Sequence, residues 1–226
     1  MVSAQEDLFP GEANLGCQIL YKYDKIVCCF SRVTAILVDL VAGGLDQEVR
    51  AVVGGLLDLS RLEAGRLELH REPMEPQELV GSALTRSPVR AESDRIRLEV
   101  PPDLPAVEGD AALLTQALVN VLHNALKFSP GGSAVEVTAR VAGTALRVEV
   151  RDHGVGIPEP DLERVFEKFY RARQGDAAGG SGLGLALSRG IVEAHGGRVW
   201  AERAEAGGTR LVLELPLRTS GEGRAS

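Results

Sequence analysis

Between Val33 and Leu62 the apolar residues recur at helical spacing, through Val38, Val41, Leu45, Val49, Val52, Val53, Leu56, Leu57 and Leu59. A stripe with that period predicts helix with one face buried. Gly43-Gly44 divides the stretch into two pieces, and Gly65 is placed to stop the second. Pro73 and Pro76 mark a boundary, beyond which the pattern is mixed. Residues 77–85 read as a short helix. Arg95 to Val100 alternates as a strand, with Ile96, Leu98 and Val100 on one face. Asp110 is positioned to N-cap a long helix ending at Phe128, with Leu114, Leu118, Val121, Leu122 and Ala125 as its apolar stripe. Ser129-Pro130-Gly131-Gly132 ends that helix. Ala134–Val141 and Ala145–Asp152 alternate as two strands of a hairpin whose loop contains Gly143. A short helix over 161–169, a glycine- and alanine-rich loop over 171–182 and a helix over 183–195 follow. Strands at Val199–Ala204 and Thr209–Leu215 close the series around Gly207-Gly208. This order predicts a two-layer α/β sandwich, a mixed sheet covered by helices, with a helical segment at 31–66 ahead of it. Residues 1–30 show no period and stay unassigned, and 219–226 read as a flexible tail.

Composition narrows the chemistry. The 226 residues are 44% hydrophobic and 25% charged, an ordinary globular balance, with a net charge of −7. That sign argues against nucleic acid as a partner, because phosphate backbones call for a basic face. It leaves nucleotide binding open, since backbone N–H groups, a metal ion and one or two cations suffice there. Cys17, Cys28 and Cys29 are odd in number and lack metal-ligand spacing, so they read as reduced thiols of a cytoplasmic protein. The most apolar N-terminal stretch, Ile26–Leu45, holds Arg32 and Asp39. A charge near a bilayer centre costs about 2.5 kcal/mol or more, so no membrane span is expected. Glu6, Asp7 and Glu12 sit where a signal peptide has a basic start and an apolar core.

Three segments carry candidate chemistry. On the helix 110–128, Asn120, Asn124 and Lys127 share one face at i, i+4 and i+7. They are either a solvated face or a metal-phosphate face, because an amide carbonyl suits a hard cation and lysine suits phosphate. Asp152-His153-Gly154-Val155-Gly156-Ile157-Pro158 ends a strand. It is either a capped tight turn or a pocket in which glycines admit a flat ligand and the carboxylate accepts from an exocyclic amine such as adenine's. Gly180-Ser181-Gly182-Leu183-Gly184-Leu185 opens a helix. Free amides and the helix dipole bind phosphate at such a place, and a flexible loop is the equal alternative.

Taken in this order and spacing, the three resemble the N, G1 and G2 boxes of the histidine-kinase ATPase domain, the Bergerat fold. Phe166-Glu167-Lys168-Phe169-Tyr170-Arg171 resembles the F box of sensor kinases, which DNA gyrase, Hsp90 and MutL lack. Ile191-Val192-Glu193-Ala194-His195-Gly196-Gly197 and Gly207-Gly208-Thr209 also match the kinase pattern. Leu57-Asp58-Leu59-Ser60-Arg61-Leu62-Glu63-Ala64-Gly65 looks like the end of the second dimerisation helix. Glu78-Leu79-Val80-Gly81-Ser82-Ala83-Leu84 and the G2 flank look most like Kdp-type potassium sensor kinases.

The resemblance implies an ATP-binding catalytic domain over 71–218, with ATP and Mg²⁺ as cofactors. It implies γ-phosphoryl transfer to a histidine, for relay to a response regulator. In its terms Asn124 ligates Mg²⁺ with Asn120 beside it, and Lys127 meets the phosphates. Asp152 reads the adenine amine, with Gly154, Gly156 and Ile157 lining the base pocket and Thr209 beside them. Phe169, Tyr170 and Arg171 flank the nucleotide. Gly182 and Gly184 hinge a lid and cradle the phosphates, with Gly180, Ser181, Leu183 and Leu185 also at the cofactor; the glycine-rich loop 171–182 is expected to be mobile without nucleotide.

One departure is pronounced. Such kinases phosphorylate a histidine on the first dimerisation helix, within a motif like His-Glu-Leu-Arg-Thr-Pro. Here the four histidines are His70, His123, His153 and His195, and none precedes Leu57. A truncated or rearranged gene is the expected reason, with a dedicated ATP-binding partner protein second. The expected partners are then a response regulator, a dimerisation and phosphoacceptor helix pair supplied in trans, and a second copy of the chain. Rival readings are a non-catalytic nucleotide-binding module and an anti-sigma-type serine kinase; residues 57–65 and 166–171 disfavour the latter.

Overall fold

A computed structural model describes residues 47–64, 68–86, 88–172, 181–204 and 207–217. The helix expected from Val33 is described from residue 47 onward, so Gly43-Gly44 and Gly65 lie outside the described residues. Residues 1–30, the tail 219–226 and Gly180 also lie outside them, with all of 173–180. Val52 onward is one compact unit. The elements are α1 (Gln47–Glu63), β1 (Glu72–Met74), α2 (Pro76–Thr85), β2 (Ile96–Glu99), β3 (Val107–Gly109) and α3 (Ala111–Phe128). They continue with β4 (Val135–Ala142), β5 (Ala145–Arg151), α4 (Gly184–Ala194), β6 (Arg198–Arg203) and β7 (Thr209–Pro216).

Five strands form one mixed sheet in the order β2-β4-β5-β7-β6. β2 runs parallel to β4, and the remaining pairs are antiparallel. Period-two alternation sends Val135, Val137, Leu146, Val148, Val150, Leu211 and Leu213 into the core. There they meet Leu114, Leu118, Val121, Leu122, Ile191 and Val192 from α3 and α4. The alternate positions carry Glu136, Arg147, Glu149, Arg151, Arg210 and Glu214, which pair with one another or with neighbours on the outer face. The expected two-layer α/β sandwich is therefore present, and no helix among the described residues is long and apolar enough to cross a membrane.

Two local elements differ from expectation. The helix expected over 161–169 is instead a pair of 3₁₀ turns, Glu159–Asp161 and Arg164–Phe166. The amides of Leu162, Phe166 and Glu167 turn back to the carbonyls three residues earlier, Glu159, Glu163 and Arg164, so the stretch closes as tight turns. β1 and β3 pair as a small antiparallel sheet, Glu72 opposite Gly109, that three-residue strands do not announce in sequence.

Asp110 ties several of these pieces together. One carboxylate oxygen accepts from the amides of Ala112 and Leu113, each at 3.1 Å, which caps α3 as expected. The other accepts from the His70 amide at 3.2 Å. The Asp110 amide itself donates to His195 Nε2 at 2.9 Å, and His195 Nδ1 lies 2.7 Å from the Ile191 carbonyl. Because Nε2 accepts, Nδ1–H must be the donor, so the ring is neutral and in one tautomer. His195 is 1% exposed. Arg71 adds a bond to the Ala194 carbonyl at 3.0 Å. Residues 70–71, the start of α3 and the end of α4 thus meet at one buried imidazole.

Burial pushes the His195 ring below its ordinary value of 6.5, and Arg71 acts in the same sense. The hydrogen bond to Ile191 and the Asp110 carboxylate oppose them. A base whose folded pKa is depressed binds fewer protons folded than unfolded, so its contribution is complete above pH 6.5 and is lost as pH falls below it. The unfolding free energy of the wild type should decline on acidification below that point, by at most about 1.4 kcal/mol per pH unit from this group. A less stable His195→Gln variant should lack that component when the two are compared by chemical denaturation from pH 7.5 to 5.

Candidate functional site

At the end of β5, the Asp152 carboxylate is buried, and its Oδ1 accepts two main-chain donors. The Gly154 amide lies at 2.8 Å and the Thr209 amide at 3.1 Å. The Asp152 amide returns a bond to the Thr209 carbonyl at 2.8 Å, so strand pairing and side-chain contact lock one another. Burial raises the Asp152 carboxyl above its ordinary range. The amides of Gly154 and Thr209, the Thr209 hydroxyl and His153 pull the other way.

Close approach explains the glycines around this carboxylate. A Cβ on Gly208 would lie 2.0 Å from the Asp152 carbonyl oxygen, and Gly208 also has φ +87°. A Cβ on Gly154 would lie 2.3 Å from the Phe128 carbonyl oxygen, so the turn after β5 rests directly on the last turn of α3. Gly156 takes φ +75° and faces the Gly208 carbonyl. Ile157 is half-buried and packs on the core, and Thr209 is 4% exposed. Asp152, Gly154, Gly156, Ile157 and Thr209 are thereby gathered at one end of the sheet. Gly208 and Phe128 belong with them; the pattern Gly207-Gly208-Thr209 was the available signal for the first.

α3 brings its polar face to the same end. Asn120, Asn124 and Lys127 are half-buried along it, and Lys127 Nζ lies 5.4 Å from the Phe128 ring centre. Asn120 is partly committed, since its amide donates to the Gly184 carbonyl at 3.2 Å. That bond ties the middle of α3 to the start of α4. Ser188 Oγ reinforces it, 3.0 Å from the carbonyls of both Ala117 and Gly184.

α4 opens without a side-chain cap at its N-cap residue Leu183. Its first intrahelical bond runs from the Leu187 amide to the Leu183 carbonyl, so the amides ahead of it point out of the helix end. Ser181 Oγ approaches the Leu183 amide at 3.4 Å. The side chains of Leu183 and Leu185 are 3% and 7% exposed and belong to the core, so only their backbone faces the site.

The F-box residues are arranged around the entrance to this helix. Phe169 has φ +61°, an unusual value for a non-glycine, and its amide donates to the Gly182 carbonyl at 3.0 Å. Gly182 has φ +69°, and a Cβ there would sit 2.9 Å from the Phe169 carbonyl carbon. The two ends of the segment 170–181 are thus pinned together. Phe169 is 61% exposed. Tyr170 Oη donates to Asp161 Oδ1 at 2.6 Å, which raises the phenol above its ordinary range, and Arg164 stacks 4.2 Å from its ring. Arg171 is exposed. A separate cleft of about 390 Å³ lies beside Leu59, Leu62, Arg189 and Gly190, lined from the F box by Phe166 and Lys168.

Comparison with known proteins agrees with this geometry. The family described as "Histidine kinase-, DNA gyrase B-, and HSP90-like ATPase" matches residues 109–219. The sensor protein KdpD of Escherichia coli (strain K12) is 35% identical over 171 residues, which is 76% of this chain and 19% of that protein. The solved structure of the mycobacterial sensor histidine kinase MprB is 35% identical with a TM-score of 0.56, covering 66% of this chain and 98% of that one. Full-length ShkA in complex with AMPPNP is 31% identical with a TM-score of 0.62, covering 75% of this chain and 36% of that one. The chain therefore spans about a fifth of the length of the KdpD sensor it matches. On these grounds the chain belongs to the histidine-kinase-like ATPase family and carries the ATP-binding domain of a sensor histidine kinase.

Proposed function

We propose that this chain is the ATP-binding catalytic part of a two-component sensor kinase, with residues 71–218 as the catalytic domain and 31–66 as the end of a dimerisation segment. The observation that carries the reading is the convergence of three elements: the Asp152 turn, the polar face of α3, and the open amides of α4. In this reading Asp152 accepts from the adenine amine while the flanking glycines let the base lie against the backbone. Gly154, Gly156, Ile157 and Thr209 form the base pocket, and Phe169, Tyr170 and Arg171 border the nucleotide. Lys127 and the amides of Gly182–Leu185 neutralise phosphate charge. Little covalent work falls to the protein in such a transfer; positioning and charge neutralisation dominate.

Asn124 fits a hard cation through its amide oxygen, with Asn120 beside it. Mg²⁺ takes one or two protein ligands, keeps several waters and otherwise sits on phosphates, so one or two amide oxygens are a sufficient protein share. Bound there, it would draw charge from the γ-phosphoryl group. An imidazole nitrogen would accept that group as ADP leaves. None of the four histidines stands on α1. His195 is buried and neutral, His153 lies 3.3 Å from Glu136, and the His70 amide is held by Asp110. His123 stands on α3 itself, the helix that carries Asn120, Asn124 and Lys127. The acceptor is therefore assigned to a dimerisation helix pair outside these residues, such as one supplied in trans, with a response regulator as the next recipient.

Two tests follow. By titration calorimetry with Mg²⁺ present, the wild type should bind ATP in preference to GTP, and Asp152→Asn should lose about tenfold or more in ATP affinity, the effect of about 1–3 kcal/mol from a mismatched polar contact. The substitution keeps one oxygen for the amides of Gly154 and Thr209 and removes a buried charge. The nucleotide-free variant should therefore melt no lower than the wild type at pH 7. Equal ATP and GTP affinity in the wild type refutes the adenine assignment. Incubation with γ-labelled ATP should leave the chain alone unlabelled on histidine and should label an added dimerisation hairpin; acid-labile, base-stable label on the chain alone would overturn the trans assignment.

A further inference from the structure

We infer that Arg95 is a positioning residue for the nucleotide site, acting through the C-terminal turn of α3; the inference rests on the functional reading above. Arg95 is the last residue before β2, and its side chain is 18% exposed. Its guanidinium reaches three main-chain carbonyls with its three nitrogens. Nε donates to Ser133 at 3.0 Å, Nη2 to Pro130 at 3.0 Å, and Nη1 to Leu126 at 3.4 Å. Glu92 pairs with Nη1 and orients the group.

These carbonyls matter because of where they lie. The last carbonyls of a helix have no intrahelical partner and carry the negative end of its dipole, so a cation there is favourable on both counts. Leu126 belongs to the last turn of α3, and Pro130 and Ser133 belong to the turn that leaves it. Within the stretch itself the Ser129 amide bonds Ala125 and the Ser133 amide bonds Pro130, each at 3.1 Å, and Ser133 Oγ donates to Pro130 at 2.7 Å, whereas the Leu126 and Ser133 carbonyls are met by Arg95. On the opposite side, the Phe128 carbonyl bears on Gly154, where a Cβ would stand 2.3 Å away. The final turn of α3 is thus wedged between Arg95 and the Asp152 turn. Lys127 stands between the stapled Leu126 carbonyl and the Phe128 carbonyl that meets Gly154. The geometry of the phosphate-binding cation and of the base pocket then depends on a side chain that touches neither.

A fork is required for this. Guanidinium offers donors in one plane at fixed angles, whereas an ammonium is a single point that satisfies these separated carbonyls poorly. Arg95→Ala and Arg95→Lys should both fold by circular dichroism and bind Mg-ATP about tenfold more weakly in calorimetry, the scale of losing charge-assisted bonds. Arg140→Ala, on the outer face of the sheet, serves as the control for removing an arginine and should bind as the wild type does. About 20 mM guanidinium chloride, against sodium chloride at equal ionic strength, should restore most of the affinity of Arg95→Ala and none of that lost in Asn124→Ala. If Arg95→Ala fails to fold, Arg95→Lys carries the comparison. Wild-type affinity in a folded Arg95 variant overturns the inference. So does a loss in Arg95→Ala that guanidinium leaves unchanged and that accompanies a lower melting temperature, since that marks a purely structural cap. If the wild type itself binds no Mg-ATP, the functional reading falls and the inference falls with it.

Discussion

A carboxylate taken out of water must be surrounded by donors, and at Asp152 the donors are main-chain amides. The rest of the site is arranged around that requirement. The amides of Gly154 and Thr209 can both reach one oxygen only if the turn after β5 and the start of β7 approach closely. Gly208 makes the approach possible, because any side chain there would enter the Asp152 carbonyl. The turn in turn meets the Phe128 carbonyl, which fixes the end of α3, and α3 holds the start of α4 through Asn120 and Ser188. One buried carboxylate therefore ties together the turn after β5, the polar face of α3 and the start of α4. The cost of its burial, visible as a raised carboxyl, is offset in part by the amides of Gly154 and Thr209, the Thr209 hydroxyl and His153.

The outer face of the sheet has a different problem, because among the described residues no second helical layer covers it. Arg140 pairs with Glu149, Arg210 with Glu149 and Glu202, and Glu214 with Arg147 and Arg198. Arg147 and Arg198 both stack on Trp200, at 5.4 and 4.9 Å. Singly such exposed pairs contribute little, but together their aliphatic stems form a roof. Val212, opposite Glu149 and Trp200 in register, is 1% exposed beneath it. The alternating charges read in β4, β5 and β7 thus explain how two layers suffice.

Much of this was legible because the signals were local. Asp110 as an N-cap, the stripe of α3 and the alternation of β4 and β5 each depend on neighbours within a few residues, and each element formed within two residues of its expected bounds. The less legible features depend on distant partners. Nothing near Glu72–Met74 announces a strand, since its pairing lies with Val107–Gly109. Leu183 and Leu185 sit in a phosphate-binding pattern, yet their side chains turn inward because α4 needs a core face immediately at its first turn. His195 follows a recognisable pattern, but its tautomer is set by the amide of Asp110, 85 residues away in sequence. Arg95 carried no signal at all, because its acceptors are backbone atoms of a turn 31 to 38 residues later.

The end of α1 packs directly on the helices of the α/β unit. Leu59 is 5% exposed and belongs to the same core as α3 and α4. Leu62 lies against Gly190, where a Cβ would stand 3.0 Å from its Cδ1, so the missing side chain lets α1 approach α4 closely. Asp58 lies 3.4 Å from the Gln116 amide of α3. Past α1, His70 and Arg71 are fastened to the opposite ends of those same helices, at Asp110 and Ala194. α3 carries Asn124 and Lys127, and α4 presents the open amides. The last turns of α1 therefore pack directly on both helices. Packed interfaces of this kind favour discrete arrangements over continuous deformation, so a shift of α1 against α4 requires Leu62 to repack at Gly190.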